Sequence, residues 1–370
     1  MIYLDYAANT PTDERVLQEF CLVNQDFFGN PNSLHPIGFA AKDKMDSITE
    51  SMTKGLELAE SEIVYTSGAS ESNNTAIKGI ARSSRHIGKH IITSGLEHSS
   101  VSGTLTHLQE QGYEIDMLDI GKDGTLNLVS LRELLRKDTV LVTVCAVDSE
   151  LGVIQPLEEI AAIIKEFPNC RLHIDATQAI GKVRFDCNIA DTISFTPHKF
   201  YGLNGCGVLI KKKDLIIEPL IHGGVSTTIY RSGTPAVALA ASIQKALELS
   251  DLEFEKRYEV VKESNTYLRS QLKTMKFVVI NSPMESVPHI LNISVSGIRG
   301  YVMQERLAEY GICLSAKSAC SVKTTPSKPV FAITKDKKRA MSSFRISISH
   351  MTTKEELDYF IEKLNLCYSN

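Results

Sequence analysis

The sequence predicts an α/β protein: a large domain built on a mostly parallel sheet, and a smaller α+β domain after it. Three observations predict it. Apolar, strand-like runs alternate with helix-patterned segments from about residue 62 to about residue 210. Asp251–Met275 is charged, amphipathic and free of Gly and Pro, and reads as a helix bridging two domains. Beyond it the order changes to strand, strand, helix, strand, loop, strand, helix. The large domain is therefore placed at 13–250, and the small one at 1–12 together with 251–370.

Taken in order, the chain opens with the extended IYLDYAANTPTD and a turn at Pro11, followed by the Gly/Asn/Pro-rich loop FFGNPNSLHP. Ile37 to about Leu58 is helical in pattern. The strand Glu62–Tyr65 then enters a small-residue turn, Thr66–Ser70, and a helix begins near Ser70. Amides at such a helix start, with the hydroxyls of Ser67 or Ser70, can cup a phosphate; a plain helix cap accounts for the same residues equally well. Strands follow at HIITS, EIDMLDI, TVLVTVCAV and RLHIDA, separated by helices at HSSVSGTLTHLQEQG, LVSLRELLRK and PLEEIAAIIKEF. After the strand GVLI, a long small-residue helix runs to about Ser250.

Ligands of such sheets bind at the carboxyl ends of strands. His98, Asp148, Ser149, Asp175 and Lys199 all fall just past predicted strands. Asp175 follows Leu172–Ile174, and Lys199 follows Thr192–Thr196. An acid and a lysine converging there suit pyridoxal phosphate: the lysine holds the aldehyde, and the acid keeps the pyridine nitrogen protonated. A strand-end cap and a surface lysine are the plainer alternative. The polar loop Ala316–Pro329 carries Cys320 between small residues, where a cysteine is reactive if exposed and inert if packed. Pairing of Cys320 with Cys313 is a third reading, without a CxxC motif behind it.

Composition narrows the classes. The chain has 370 residues, 43% of them hydrophobic and 23% charged, as in an ordinary soluble protein. A net charge of −4 gives no reason to expect a nucleic-acid or anionic-membrane surface, and the basic run Lys211–Lys213 reads as a solvated strand end. No apolar run is long enough to span a bilayer, and MIYLDYAANTP lacks the features of a signal peptide. The eight cysteines show neither CxxC nor zinc-type spacing, so no metal is expected, and a reduced, cytoplasmic protein is. The absence of GxGxxG and GxxxxGK patterns counts against a nucleotide-binding α/β protein.

Ten segments in register along nearly the whole chain resemble the NifS-type cysteine desulfurases of the class V aminotransferase superfamily. They are YLDYAANTP, GNPNSLH, TSGASESNN, EHSSV, DATQAIGK, TPHKFYG, HGG, RSGTP, SACS and FRISIS. The resemblance implies the seven-stranded-type sheet of a fold-type I pyridoxal-phosphate enzyme. It implies that Lys199 carries the cofactor, that Asp175 partners the ring nitrogen, and that Gln178 donates to the ring hydroxyl. His98 matches the ring-stacking, proton-transferring histidine, and Ser149 stands at a cofactor-binding position. Ala69, Ser70, Thr196 and His198 match phosphate-binding positions. Thr234 matches the phosphate contact that comes from a second subunit, which implies a homodimer. Arg345 resembles the arginine that grips the substrate carboxylate, and Cys320 the nucleophile that takes the sulfur.

The activity so implied converts L-cysteine to L-alanine, leaving a persulfide on Cys320 for a sulfur-acceptor protein in iron–sulfur cluster assembly or tRNA thiolation. Another class V enzyme (an aminotransferase or selenocysteine lyase) and a weakly active paralogue are the alternatives. The departures from the family pattern bear on that choice. Asp148-Ser149 stands for the usual Asn-Asn, with Ser149 too short to replace an Asn at the ring hydroxyl and Asp148 expected to alter the aldimine pKa. Pro197 stands for Gly, Leu203-Asn204 for Pro-Lys and Lys317 for Gly, and no Glu lies between Gly224 and Arg231.

Overall fold

The computed structural model describes residues 1–316 and 325–369. Its centre is a seven-stranded sheet whose spatial order is Ser61–Thr66, Gly207–Lys212, Thr192–Phe195, Arg171–Asp175, Thr139–Cys145, His90–Ser94 and Glu114–Leu118. Gly207–Lys212 runs antiparallel to both neighbours, and the other pairings are parallel. That is the mostly parallel sheet the alternating pattern predicts. Its central strands are apolar on both faces because helices cover both, as parallel crossovers require. Thr139–Cys145 is buried along its whole length.

A second assembly lies beyond residue 254. Val278–Ile280, Ile290–Val295 and Ser343–Ser347 form an antiparallel three-stranded sheet, and Ile2–Tyr3 pairs in parallel with Ile312–Cys313. The helices Phe254–Leu272 and Lys354–Ser369 close a core around Leu268, Ile293, Phe344 and Phe360. The amino-terminal arm joins the two assemblies. Leu4 accepts from Ser347 N, Ala7 N donates to Ser347 Oγ, and Thr10 N donates to the carbonyl of His198. This arm brings the carbonyls of Ala7 and Ala8 against Lys199, on the short turn Pro197–Lys199 that follows strand Thr192–Phe195.

Four local expectations are corrected. Lys211 is not solvated but fully buried: its ammonium meets Glu62 at 2.7 Å and donates to the carbonyls of Lys212 and Leu215. The strand is interior to the sheet, so a lysine on its covered face had to find partners. The bridging helix starts at Phe254 rather than Asp251, because the preceding helix, Val237–Leu252, continues to Leu252. The polar segment does not stay a loop to Pro329: Ser327 caps a helix over Lys328–Thr334, with Pro329 near its start, where a missing N–H costs nothing. Glu14–Asp26 forms a helix where the sequence analysis sets no element.

Candidate active site

Adjacent parallel strands bring the acid and the lysine together. Asp175 pairs in register with Ser194 on the neighbouring strand, and Lys199 follows that strand by one short turn. Both line a cavity of about 410 Å³ with Ser67, Gly68, Ala69, Ser70, His98, Ser149, Gln178, Thr196, His198 and Arg345. Of the twelve residues expected at the site, ten therefore share this cavity. Thr234 is exposed and lies outside it, and Cys320 lies outside the described residues. A wider groove of about 980 Å³ runs along Ser51–Glu57, Ile180–Cys187 and Gln244–Phe254, away from these groups.

Asp175 is set by a buried network. Asn73 Nδ2 donates to its Oδ2 at 2.9 Å, and Thr177 N to its Oδ1 at 3.0 Å. Asn73 Nδ2 also reaches Ser100 Oγ, while Asn73 Oδ1 accepts from Ser194 Oγ and from His173 Nε2. An amide oxygen only accepts, so His173 carries its proton on Nε2 and takes the Thr192 hydroxyl on Nδ1 at 2.8 Å. Burial pulls the His173 pKa down to about 4, which keeps the ring neutral. Nothing in the local sequence pattern marks Asn73 or His173 as members of the site. The only signal for Asn73 is its place inside the TSGASESNN segment.

His98 caps the helix Ser99–Glu110, its Nδ1 accepting from Ser100 N at 3.1 Å. The ring proton of the neutral form therefore sits on Nε2. Burial lowers the His98 pKa, with Asp175 opposing and Lys199 assisting. The residue before it, Glu97, is a second acid that sequence reasoning missed. Burial raises its pKa to about 8 against hydrogen bonds from Ser94 Oγ and Cys145 N. At neutral pH Glu97 adds no second charge beside Asp175. Asp148 turns its Oδ2 into its own turn, accepting from the backbone of Glu150 and Leu151. Burial and Glu150 push its pKa up to about 7. The carboxylate of Asp148 does not line the cavity, so it would act on the site only at a distance.

One end of the cavity is a helix start without a cap. Helix Ala69–Ser83 begins after Gly68 with no side chain bonded to its first amides. Gly207 lies so close behind that a Cβ there would stand 2.6 Å from the Gly68 backbone, so a side chain would force this turn open. Glu71, which also lines the cavity, braces the turn, accepting from Ser67 N at 2.8 Å and pairing with Arg231 at 3.0 Å. Thr196 Oγ1 donates to the Cys206 carbonyl, so it accepts from His198 Nδ1 at 2.9 Å. Burial, Lys199 and Lys182 draw the His198 pKa down to about 4.

Arg345, only 2% exposed, donates to the Ser149 carbonyl at 2.8 Å and pairs with Asp5 at 2.9 Å. Its buried Nε has no partner among the described residues. Such an orphaned donor costs free energy unless a ligand satisfies it, and a carboxylate is its natural complement. The donor set fits pyridoxal phosphate: an amine, a fixed carboxylate, a histidine and uncapped helix amides surround one cavity.

The matched family model is Aminotransferase class-V, covering residues 2–360. The chain belongs to this family. Within it the chain falls with the NifS-type cysteine desulfurases, as the sequence segments predict. It is 38% identical over 371 residues to the cysteine desulfurase IscS of Pseudoalteromonas translucida, covering 98% of this chain and 91% of the relative. A solved NifS-like protein superposes with a TM-score of 0.92 at 33% identity, covering 100% of this chain and 99% of the other. A structure titled SspA in complex with cysteine gives a TM-score of 0.81 at 29% identity, covering 95% and 100%.

Proposed function

We propose that the chain is a pyridoxal-phosphate-dependent cysteine desulfurase that converts L-cysteine to L-alanine and passes the sulfur through Cys320 to an acceptor protein. The observation that carries the reading is the convergence of Lys199, Asp175, His98 and the half-satisfied Arg345 on one cavity whose far end is an uncapped helix start.

When bound, pyridoxal phosphate supplies an electrophilic carbonyl and a sink for the electrons of the substrate's α-carbon. Lys199 Nζ, held by the carbonyls of Ala7 and Ala8 at 3.2 and 2.5 Å, is the amine that anchors the group and moves the α-proton. Asp175, its two oxygens braced by Asn73 and Thr177, holds a proton on the ring nitrogen. His98 presents Nε2–H, and Gln178 presents an amide N–H to the ring hydroxyl. Ala69 and Ser70, at the uncapped helix start, hold the phosphate, and Thr196 and His198 line the same end of the cavity. Arg345 receives the substrate carboxylate through its free Nε.

Cys320 completes the reaction. Its thiolate forms an S–S bond to the substrate sulfur as the carbon–sulfur bond breaks; the carbon is reduced, the sulfur oxidised, and the released carbon takes a proton to become alanine.

A homodimer completes the phosphate site through the partner's copy of Thr234. Supporting this, Thr234 is exposed, and the large apolar side chains of Val225 and Ile229, a few residues before it, stand in solvent, as do Phe28, Leu34 and Phe39 elsewhere in the chain. Residues 13–250 form the cofactor-binding domain, and 1–12 with 251–370 the small domain; the apolar core around Leu268 and Phe344, with Leu4 in it, supports that division. No described helix is long and apolar enough to cross a membrane, and a cytoplasmic protein feeding iron–sulfur assembly or tRNA thiolation suits the free state of the seven described cysteines.

The test is a single turnover of cofactor-loaded protein with L-cysteine, following alanine and mapping added sulfur by mass spectrometry. One alanine per site with one extra sulfur on Cys320, and neither in Cys320→Ser, is the expected result. Full turnover in Cys320→Ser, or conversion of the cofactor to its amine form without alanine, would overturn the reading in favour of an aminotransferase.

A further inference from the structure

Lys182 ends the DATQAIGK segment, and no role above uses it. It is only 6% exposed, and among the described residues it forms no ion pair with an acid. The backbone explains how it arrives there. Gly181 takes φ +80° with its α-carbon packed against Phe200 and Ser250, where a Cβ would stand 2.8 and 2.7 Å from their side chains. The chain therefore reverses tightly, and Lys182 Nζ returns to Gln178 Oε1 at 2.6 Å. Burial, with Lys199 and Arg345 nearby, draws its pKa down to about 7. A cation placed so costs folding free energy, and the contact it makes is with a residue of the cofactor cavity.

We infer that Lys182 is a positioning residue: it fixes the side-chain amide of Gln178 so that an N–H, and not the carbonyl, faces the cofactor. The reasoning is one of donors and acceptors. The ammonium form has three donors and no acceptor, so while Lys182 is protonated only Oε1 can face it. Gln178 Nε2 then lies on the other side, donating to the Ala7 carbonyl at 2.8 Å and keeping its second N–H for the cavity that Gln178 lines. The Ala7 carbonyl is itself shared with Lys199 Nζ at 3.2 Å, so it is a divided partner for the amide. Without Lys182 the amide keeps only that constraint, and its flipped form presents an acceptor to an oxygen of the ring. Lys182 itself lies outside the cofactor cavity, in a space of about 20 Å³ behind Lys199 with Tyr201, His289 and His350.

The inference rests on the proposed reading of Gln178 as donor to the ring hydroxyl, and the experiment separates the two. The absorption spectrum of bound pyridoxal phosphate and its dissociation constant are measured for the parent, Lys182→Met, Lys182→Arg, Gln178→Leu and the Lys182→Met/Gln178→Leu double variant. Lys182→Met is expected to shift the visible band in the same direction as Gln178→Leu and to weaken cofactor binding about fivefold, one hydrogen bond's worth. Lys182→Arg, which retains a donor, is expected to restore most of the band. In the Gln178→Leu background, Lys182→Met is expected to change nothing further. Equal increments in both backgrounds, or an unshifted band in a folded Lys182→Met beside a shifted Gln178→Leu, would overturn the positioning role. An unshifted band in Gln178→Leu would remove the reading of Gln178, and the role of Lys182 with it.

Discussion

Lys211 and Lys182 are both buried lysines, and their surroundings are opposite in kind. Lys211 has Glu62 at 2.7 Å, two backbone carbonyls at 2.7 and 2.6 Å, and the face of Tyr230 at 4.3 Å. Every donor of its ammonium has a partner, and the contact with Glu62 binds the strand Gly207–Lys212 to Ser61–Thr66. Lys182 has one amide oxygen, and Lys199 and Arg345 for electrostatic neighbours. The first arrangement is what structure demands of a buried charge. The second is unfavourable to folding and makes sense only beside a site, where poorly compensated groups gather.

The comparison can be broken first at Lys211. Lys211→Met leaves Glu62 and two carbonyls without their partner, and is expected to destabilise the protein by about 3 kcal/mol in urea unfolding. A loss within experimental error would mean that the pair is not structural. The opposite outcome is expected for Lys182. Its folded pKa, about 7, lies below the ordinary 10.5, so the fold penalises the charged form. That penalty is present in full below about pH 7 and fades as the pH rises toward 10.5. Lys182→Met is therefore expected to unfold at higher urea than the parent at about pH 6, with the gap closing by about pH 10. A gap that widens with pH would contradict the uncompensated charge.

The smallest effect concerns Glu97, the buried acid beside His98. Glu97 has a folded pKa of about 8, raised from 4.5 by burial, so its penalty is absent below about pH 4.5 and complete above about pH 8. Glu97→Gln keeps the acceptor for Ser94 Oγ and Cys145 N. Parent and variant should match in stability near pH 5, with the variant the more stable near pH 9. Equal stability at both pH values would mean that Glu97 is already ionised in the fold at neutral pH.

These pairs also show how far the sequence could be read. The alternation of strand and helix located all seven strands of the large sheet, because runs such as TVLVTVC are apolar throughout. It also put Asp175 and Lys199 at neighbouring strand ends, since both follow strands that pair in register. The helix Glu14–Asp26 was legible but passed over: Val16, Phe20 and Val23 recur at helical spacing and pack on the core. Lys211 escaped because a run of three lysines looks solvated until the sheet order places its strand inside. Asn73, His173 and Glu97 act through partners 102, 100 and 48 residues away, and no local pattern encodes such partners. Lys182 meets Gln178 only four residues off and was hidden by its burial instead.

Lys199 and the buried lysine behind it, Lys182, supply the most direct test. Borohydride reduction of the cofactor-loaded protein, followed by digestion and mass spectrometry, locates the amine that carries pyridoxal phosphate. The phosphopyridoxyl group is predicted on Lys199 alone, with Lys182 unmodified. Attachment to Lys182, or to neither lysine, would contradict the account.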